Sequence, residues 1–209
     1  MNVAHKIKKG EIAQDNWTFQ TLGEVFEVSI GKTPPRKEKQ WFSSNSQDVP
    51  WFSIKDMGRA GVFVLDNQEY LTEQAIDTFK IKRIPENTVI LSFKITIGRV
   101  AITTKEIVTN EAIAHFKIKK NSLLTSEYLY LFLKQFDFQC LGSTSSIVEI
   151  TNTKTLRKIE IPIPPQQIMA KLQEKIAPLF AEIKNLTLET QQLKNMQNVL
   201  FKEWLSQLK

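Results

Sequence analysis

Short apolar segments, typical of strands, dominate the chain from about residue 17 to residue 163. Residues 89–93 and 100–104 are rich in β-branched and apolar side chains, with Gly98 between them, and residues 112–118 form a similar run. Such runs, bounded by turn residues, are typical of strands in a folded domain. We therefore predict a strand in each of these three segments.

Two other segments in the same region have helical spacing. Residues 72–78 begin with a threonine that can cap a helix. Residues 126–135 repeat large apolar side chains every three or four positions, and we predict that Ser126 is the N-cap. Together with the strands, these helices predict an α+β globular domain over residues 17–163. Residues 1–16 are polar and charged, and we expect them to be a flexible lead-in.

The pattern changes at residues 161–165, where three of the five residues are proline. Because proline has no amide hydrogen, we expect that this segment neither continues a strand ladder nor sits inside a helix. It is predicted to be a stiff, extended connector. Beyond it the chain has no glycine and one further proline, Pro178, which should kink a helix or mark the end of a separate first turn.

Apolar residues after the connector recur at spacings of three and four, which is the seam of a coiled coil or a helical bundle. A helix of about 44 residues would be roughly 65 Å long, longer than a domain of this size needs for its own core. We therefore expect a partner to cover the stripe. The alternative is a hairpin folded back over the domain, which the absence of a Gly or Pro turn signal in residues 179–209 disfavours. The predicted seam residues are Ile176, Leu179, Ile183, Leu186, Leu193, Leu200 and Trp204.

Composition adds a mild basic excess to this picture. The 209 residues are 42% hydrophobic and 24% charged, as in a folded globular protein, and carry a net charge of +6 with a sequence pI near 9.3. This excess fits a nucleic-acid partner without requiring one. No signal-peptide pattern and no apolar run of about 20 residues is present, so we expect a cytoplasmic protein that does not bind a membrane.

The sequence lacks the motifs of the common enzyme sites. It has no P-loop, no G-x-G-x-x-G, no nucleophile elbow and no cluster of Cys and His for a metal, so we expect no metal and no cofactor on this chain. Cys140 is the single cysteine and cannot form an internal disulfide. His115 lies in an apolar alternation, where we interpret it as a polar residue on a strand face rather than as a catalytic group.

Binding has candidates in three loops. Residues 32–39 form a basic loop that prolines keep out of regular structure, and residues 94–99 form a second basic turn. Residues 142–146 are rich in small hydroxyl side chains, which can donate to phosphate oxygens. Arg36 could also bind a guanine edge through two donors. Each loop could instead be an ordinary solvated turn, and the four aromatic residues at positions 41, 42, 51 and 52 are interpreted as packing side chains rather than as stacking platforms. The candidate DNA-binding residues are Lys32, Thr33, Arg36, Lys37, Lys39, Lys55, Lys94, Arg99, Ser143, Thr144 and Ser145.

In the order and spacing of its short motifs, the chain resembles one half of a specificity (S) subunit of type I restriction-modification systems. No single motif is decisive, but together they extend over residues 17–209. The segments that carry the resemblance are residues 16–25 and 31–34, residues 49–57, residues 91–94, 96–102 and 109–113, and residues 142–144, 156–159 and 161–167 with the long helix after them.

The resemblance implies a non-catalytic DNA-reading function. A full-length S subunit has two target-recognition domains and two long helices that pack antiparallel, and each domain reads one part of a split site. Separate methyltransferase (M) subunits bind S-adenosylmethionine, and R subunits translocate and cut DNA. The resemblance therefore implies a target-recognition domain at residues 17–163 and a spacer or dimerisation helix at residues 164–209. The expected partners are double-stranded DNA, M subunits and, through them, R subunits.

This sequence departs from the full-length pattern because it has one domain and one helix. We therefore expect a homodimer through antiparallel helices, in which two identical domains read a palindromic bipartite site. One alternative is a scaffold that binds M subunits without DNA specificity of its own. Another is an enzyme whose motif is not recognised, which turnover by the chain alone would reveal.

Overall fold

The computed structural model describes residues 16–94, 96–120, 122–141 and 153–207. These residues form a mixed α+β domain followed by a long C-terminal helix, which confirms the predicted class and the helix. The strands are β1 Thr18–Thr21, β2 Phe26–Ile30, β3 Phe42–Ser43, β4 Val49–Phe52, β5 Phe63–Val64, β6 Glu69–Leu71, β7 Val89–Ser92, β8 Val100–Thr103, β9 Val108–Thr109, β10 Ile113–Ile118 and β11 Glu160–Ile163. The α-helices are α1 Leu22–Val25, α2 Ile54–Met57, α3 Glu73–Phe79, α4 Ser126–Gln135, α5 Thr153–Arg157 and α6 Gln166–Ser206, and short 3₁₀ turns lie at Lys39–Trp41 and Phe138–Leu141.

The larger sheet has the strand order β2-β10-β7-β8-β5. Its neighbours are antiparallel except for β5 and β8, which are parallel. Strands β7, β8 and β10 are the three segments predicted as strands from the sequence. All residues of β7 and β8 are buried, which explains why both read as continuous apolar runs instead of alternating ones.

The smaller sheet has the order β3-β6-β4-β9. Trp51 and Phe52 on β4 are each 1% exposed and lie inside apolar clusters. Trp41 and Phe42 are half-buried and pack against one of these clusters, and the Trp41 ring lies 5.3 Å from that of Phe79. The interpretation of these four aromatic residues as packing side chains is confirmed.

The two short helices that were predicted from spacing are present, with one change at a cap. Helix α3 begins after Thr72, whose hydroxyl accepts a hydrogen bond from the Ala75 amide. The N-cap of α4 is Thr125, which accepts from the Tyr128 amide, so the prediction of Ser126 as the cap was wrong. Ser126 is instead the first helical residue, fully buried, and its hydroxyl donates to the Asn87 carbonyl.

The prediction that the proline-rich segment cannot continue a strand ladder was wrong. Strand β11 contains Pro162, which lies opposite Phe19 in an antiparallel pair with β1. The pair is a separate two-stranded sheet. Each strand therefore needs amide donors on one side only, and an edge strand tolerates proline there. Pro165 then occupies the N-cap position of α6 in an extended conformation.

Helix α6 continues through Pro178 for 41 residues, or about 60 Å. Pro178 therefore does not end a separate first turn, and the hairpin alternative is wrong. Proline removes one amide donor, which leaves the carbonyl four residues earlier, that of Glu174, without its helical partner. Both Glu174 and Pro178 are exposed to solvent, so water can donate a hydrogen bond to the Glu174 carbonyl.

The first half of α6 is docked on the domain by a buried aromatic contact. Phe180 is 7% exposed, and its ring lies edge-on to the rings of Phe63 and Tyr130, at 6.4 Å and 5.6 Å between centroids. The residues of the same helix face that join the main core are Met169, Leu172 and Ile176. Gln173 accepts a hydrogen bond from the Thr125 hydroxyl, and Lys184 forms an ion pair with Glu86. These contacts fix the direction in which the helix leaves the domain.

The predicted seam starts on the domain and continues beyond it. Ile176 packs against the core, whereas Leu179, three residues further on, is 63% exposed. From residue 192 to residue 206 the helix extends past the domain and every residue is exposed, including Leu200 and Trp204 of the seam. Ile176 is the one predicted seam residue that packs against the core of the domain; the other six are exposed.

Replacing Phe180 by Ala tests this docking. We expect the free energy of unfolding to fall by about 3–4 kcal/mol, because the substitution leaves a cavity among apolar side chains. Phe201→Ala is the matched control on the same helix, since Phe201 is 57% exposed, and it should cost less than about 1 kcal/mol. Urea unfolding at low protein concentration measures both values. A small loss in Phe180→Ala would show that the helix is not anchored at this point.

Candidate nucleic-acid interface

The topology brings four loops to one end of the larger sheet. Strands β2 and β7 end where their antiparallel neighbours β10 and β8 begin. The Gly31 amide bonds the Ile113 carbonyl, the Phe93 amide bonds that of Ala112, and the Ser92 amide bonds that of Arg99. The residues after β2 and β7 and before β8 and β10 therefore lie side by side. We call this the loop end of the domain.

The smaller sheet contributes to the same end. Strands β4 and β9 are parallel, so their carboxyl ends meet, and the Asn110 amide bonds the Phe52 carbonyl. The Lys32 amide bonds the Thr109 carbonyl at 3.0 Å. A Cβ atom at Gly31 would lie 2.0 Å from that carbonyl oxygen, so glycine is the residue that permits this approach. Loops from both sheets are thus fixed to one another at their bases.

The basic loop, residues 32–39, is tied at its start and exposed further on. The Lys32 ammonium donates to the Phe79 carbonyl at 3.0 Å, and the Thr33 hydroxyl donates to the Glu111 carboxylate. Lys37 and Lys39 are exposed, and neither has an ion-pair partner within the described part of the chain. These two lysines are therefore the members of the loop that are available to a polyanion.

Arg36 of the same loop has close partners. Its guanidinium forms two hydrogen bonds with the Glu69 carboxylate, at 2.8 Å and 3.1 Å. It also lies 4.5 Å from the centroid of the Phe42 ring and 4.4 Å from that of Trp51. These contacts use two of the five guanidinium N–H donors and fix the direction of the side chain.

A second basic group surrounds helix α2. Lys55 is exposed on this helix, and the Arg99 guanidinium lies against it, since a Cβ atom at Gly58 would be 2.6 Å from an Arg99 nitrogen. Asp56 in the same helix is 2% exposed and forms an ion pair with Arg59. The Asp56 carboxylate also closes a capping box with Ser53. This cap fixes the start of α2, the helix that carries Lys55 and that ends at Gly58 beside Arg99.

The remaining predicted residues fall into two classes. Lys94 is half-buried at the loop end, with its ammonium 5.5 Å from the Phe93 ring centroid, and the turn after it includes Gly98 at a φ of +90°. Ser143, Thr144 and Ser145 lie outside the described residues. Of the eleven predicted DNA-binding residues, the structure therefore describes eight. Lys32, Thr33, Lys55, Lys94 and Arg99 lie at the loop end. Arg36 and Lys37 lie further along the basic loop, and Lys39 lies in the turn before β3, where Phe42 pairs with Leu71 at the other end of the smaller sheet.

Glu69 and Arg59 are among the charged residues near the loop end that sequence reasoning left out. Arg59 could have been found, because Ser53 and Asp56 have the spacing of a capping box and Arg59 follows Asp56 by three positions. Glu69 could not, because its place depends on the pairing of Trp51 with Glu69 across β4 and β6, which are distant in sequence.

A buried histidine lies beneath the basic loop. His115 on β10 is fully buried; its Nδ1 atom lies 3.3 Å from the Ser29 hydroxyl and its Nε2 atom 2.6 Å from the Thr109 hydroxyl. Burial and, to a smaller extent, the positive charge of Lys82 lower the pKa of His115 to about 3. The neutral ring therefore joins β2, β9 and β10 below the point where the loop begins, and its interpretation as a polar strand residue is confirmed.

Two further properties of the described residues bear on function. Among them, no group of three or more His, Cys, Asp or Glu side chains is placed to hold a metal ion. None of their helices is both long enough and apolar enough to cross a membrane.

Comparison with known proteins identifies the family. The family model of the type I restriction modification DNA specificity domain matches residues 14–198. The chain belongs to this family, as its motifs suggested.

Relatives and solved structures agree with this assignment. The chain is 26% identical to the type I restriction enzyme MjaIX specificity subunit of Methanocaldococcus jannaschii, over 93% of this chain and 45% of that protein. It is 28% identical to the HindI specificity subunit of Haemophilus influenzae, over 91% of this chain and 41% of that protein. The fold is similar to that of the HsdS subunit from Thermoanaerobacter tengcongensis, with a TM-score of 0.59 at 17% identity, over 84% of this chain and 40% of that one. The chain thus spans less than half the length of the relatives it matches.

The buried state of His115 generates a prediction about pH. The unfolded chain binds a proton at this histidine near pH 6.5, whereas the folded chain does so only near pH 3. The unfolded state therefore binds more protons between these values, and stability falls as the pH is lowered through this window. For this single group, the loss between pH 7 and pH 5 is about 2 kcal/mol.

The variant His115→Gln lacks this titration. The difference in free energy of unfolding between the original chain and the variant should therefore shrink by that amount from pH 7 to pH 5. Urea unfolding at pH 7, 6 and 5 measures it, and the comparison cancels the groups that both chains share. A constant difference would show that His115 is not held neutral.

Proposed function

We propose that this chain is the DNA sequence-specificity subunit of a type I restriction-modification system, reading one half of a bipartite site. Residues 17–163 are assigned as the target-recognition domain and residues 164–209 as the spacer and pairing helix. Membership of the family supports DNA recognition as the activity. The observation that carries the choice of surface is the convergence of Lys32, Thr33, Lys55, Lys94 and Arg99 on the loop end, from which the exposed basic loop extends.

The charge distribution at this end supports contact with phosphates. Lys55 and Arg99 are exposed there, and Lys37 and Lys39 are exposed on the basic loop that starts there. Basic side chains that contact phosphates fix the position of a protein on the duplex, and each contact releases counterions, which makes binding salt-dependent. Base reading then falls to side chains of the same loops that reach a groove.

The exposed part of α6 supports pairing with a second helix. Among the residues of the predicted seam, Leu179, Leu186 and Leu193 are 63%, 51% and 59% exposed. A single chain would leave this stripe in water. Seam residues Ile183 and Leu186 also line a groove of about 480 Å³ between the helix and the domain segment that contains Ala60 and Phe63.

We propose that two copies pair through antiparallel helices and that the pair docks M subunits. Twofold symmetry would present the same loop end to each half-site, so the site would be palindromic with a fixed spacer. In this assembly S-adenosylmethionine would bind to the M subunits, and R subunits would join through them. The assembly acts on DNA and is therefore placed in the cytoplasm.

The central experiment maps methylated adenines in cells that carry this chain and its M partner. Methylation confined to one bipartite palindrome, and lost when the chain is deleted, is the expected result. Methylation that continues at the same sites without the chain would overturn the proposal. Binding of the purified complex to DNA without any sequence preference would leave only the scaffold function.

Lys37→Ala and Lys39→Ala test the surface. If each lysine contacts a phosphate, each variant should weaken binding equally for all sequences and reduce the slope of log K against log salt by about 0.9. A loss of base preference would instead identify a reading contact. Lys105→Ala is the control, since Lys105 is exposed beyond the end of β8, at the opposite end of the domain. Unchanged salt slopes in both loop variants would remove this loop from the interface.

Ile183→Asp combined with Leu193→Asp tests the pairing helix. Charges placed in a buried seam have no partners there, so the pair of chains should dissociate. The control carries two negative charges on the opposite face, seven residues apart, at Asn185→Asp and Gln192→Glu. Sedimentation velocity gives the mass of each species. If the seam variant and the control variant form dimers of equal stability, the contact between the two chains lies outside this seam.

A further inference from the structure

Arg36 is held on three sides by residues of the smaller sheet. Two parallel hydrogen bonds join it to Glu69, and the Phe42 and Trp51 rings pack against its guanidinium. The side chains of Arg36 and Glu69 are 49% and 41% exposed, so solvent reaches the pair but does not separate it. Bidentate pairing fixes the orientation of an arginine as well as its position.

The residues that hold Arg36 are themselves fixed. Glu69 is the first residue of β6, opposite Trp51 on β4, and its carbonyl accepts a hydrogen bond from the Asn67 side chain at 2.8 Å. Trp51 is 1% exposed, and its indole nitrogen lies 3.4 Å from the Lys32 carbonyl. Phe42 pairs with Leu71 on the other side of β6. The receptor for the guanidinium is therefore formed by residues of the smaller sheet.

The loop has few other attachments along its middle. It starts at Lys32, which is bonded to Thr109, and it ends in the short turn before Trp41, whose indole donates to Glu38 at 2.7 Å. Between these ends, the Glu38 amide bonds the Pro35 carbonyl within the loop itself. Before Arg36, the Thr33 hydroxyl bonds Glu111 and Pro34 is buried. Among residues 35–39, which are all exposed, Arg36 is the one whose side chain pairs with a residue of the smaller sheet.

We propose that Arg36 and Glu69 are positioning residues, which hold the loop so that Lys37 and Lys39, and not Arg36, face the DNA. The inference rests on the proposed function of the loop end in DNA binding. It assigns a task to Glu69, an acid that would otherwise repel phosphates at a basic surface. Arg36 neutralises that carboxylate, and the two hydrogen bonds between them fix the orientation of the Arg36 side chain.

Whether one substitution raises or lowers the affinity for DNA distinguishes a positioning role from direct contact. Glu69→Gln removes a negative charge near the DNA, which by charge alone should strengthen binding. If Glu69 only restrains a DNA-binding Arg36, the same change also frees that arginine, and binding again becomes tighter. If the pair positions the loop, Glu69→Gln weakens binding in spite of the favourable change in charge.

The experiment measures DNA binding by the complete complex of this chain with its M subunits, at fixed salt, for the original chain and three variants. Glu69→Gln should weaken binding about two- to fivefold, the change in affinity that corresponds to an exposed ion pair. Arg36→Lys should weaken it as well, because lysine keeps the charge but cannot form the two parallel bonds. Glu106→Gln, an exposed glutamate paired with Arg83 at the opposite end, should leave binding unchanged.

Hydrogen exchange of the same proteins without DNA gives an independent measure of the loop. The amides of Glu38 and Trp41 should exchange faster in Glu69→Gln and in Arg36→Lys than in the original chain. Tighter or unchanged DNA binding by Glu69→Gln, or unchanged exchange at both amides, would overturn the proposal. If the original complex shows no salt-dependent DNA binding, the proposed function fails, and the exchange rates alone then decide whether Arg36 and Glu69 hold the loop.

Discussion

The pairing of β10 on both of its edges is the constraint on which the rest of the domain depends. This strand bonds β2 on one side and β7 on the other, and its residues Ile113 to Phe116 are all buried. A slip of one residue would exchange the two faces of the strand and place every side chain against the wrong neighbours. His115 adds a polar restraint, because its ring nitrogens meet hydroxyls on β2 and β9. The alignment of the loops follows from this register, since each begins or ends at a position that β10 fixes directly or through β7.

The long helix has two roles, packing on the domain and offering an apolar surface to a partner, although in the sequence it shows a single stripe of apolar residues. Over its first turns one face of the helix completes the core of the domain, with Met169 and Phe180 both buried there. Further along, the helix extends past the domain, and from residue 192 to residue 206 all its residues are exposed. The helix is therefore rigidly attached at one end and open to a partner at the other. In the proposed dimer, the angle between the two loop ends would be set by this attachment.

Features encoded by neighbouring residues could be predicted from the sequence, and those that depend on distant pairing could not. The strands at residues 89–93 and 100–104, the two short helices and the long helix follow from local spacing, and the structure has all of them. The error at Pro162 arose because proline is excluded from the interior of a sheet but not from an edge, and only the tertiary structure shows that β11 is an edge. The basic loops could be recognised in the sequence from their lysine and arginine content. The pairing of Arg36 with Glu69 was not, because 33 positions separate them and the register of β4 and β6 brings them together.

Gly31, immediately before the basic loop, is a position that evolution can hardly alter, unlike the exposed residues further along the loop. Any side chain at this position would collide with the Thr109 backbone, so glycine is essentially the only residue that fits there. A few residues later, Lys37 and Lys39 project into solvent and contribute nothing to the core. Mutations there carry almost no penalty in folding, and selection can act on them for binding alone. A surface of this kind can acquire new preferences by single substitutions while the scaffold beneath it stays constant.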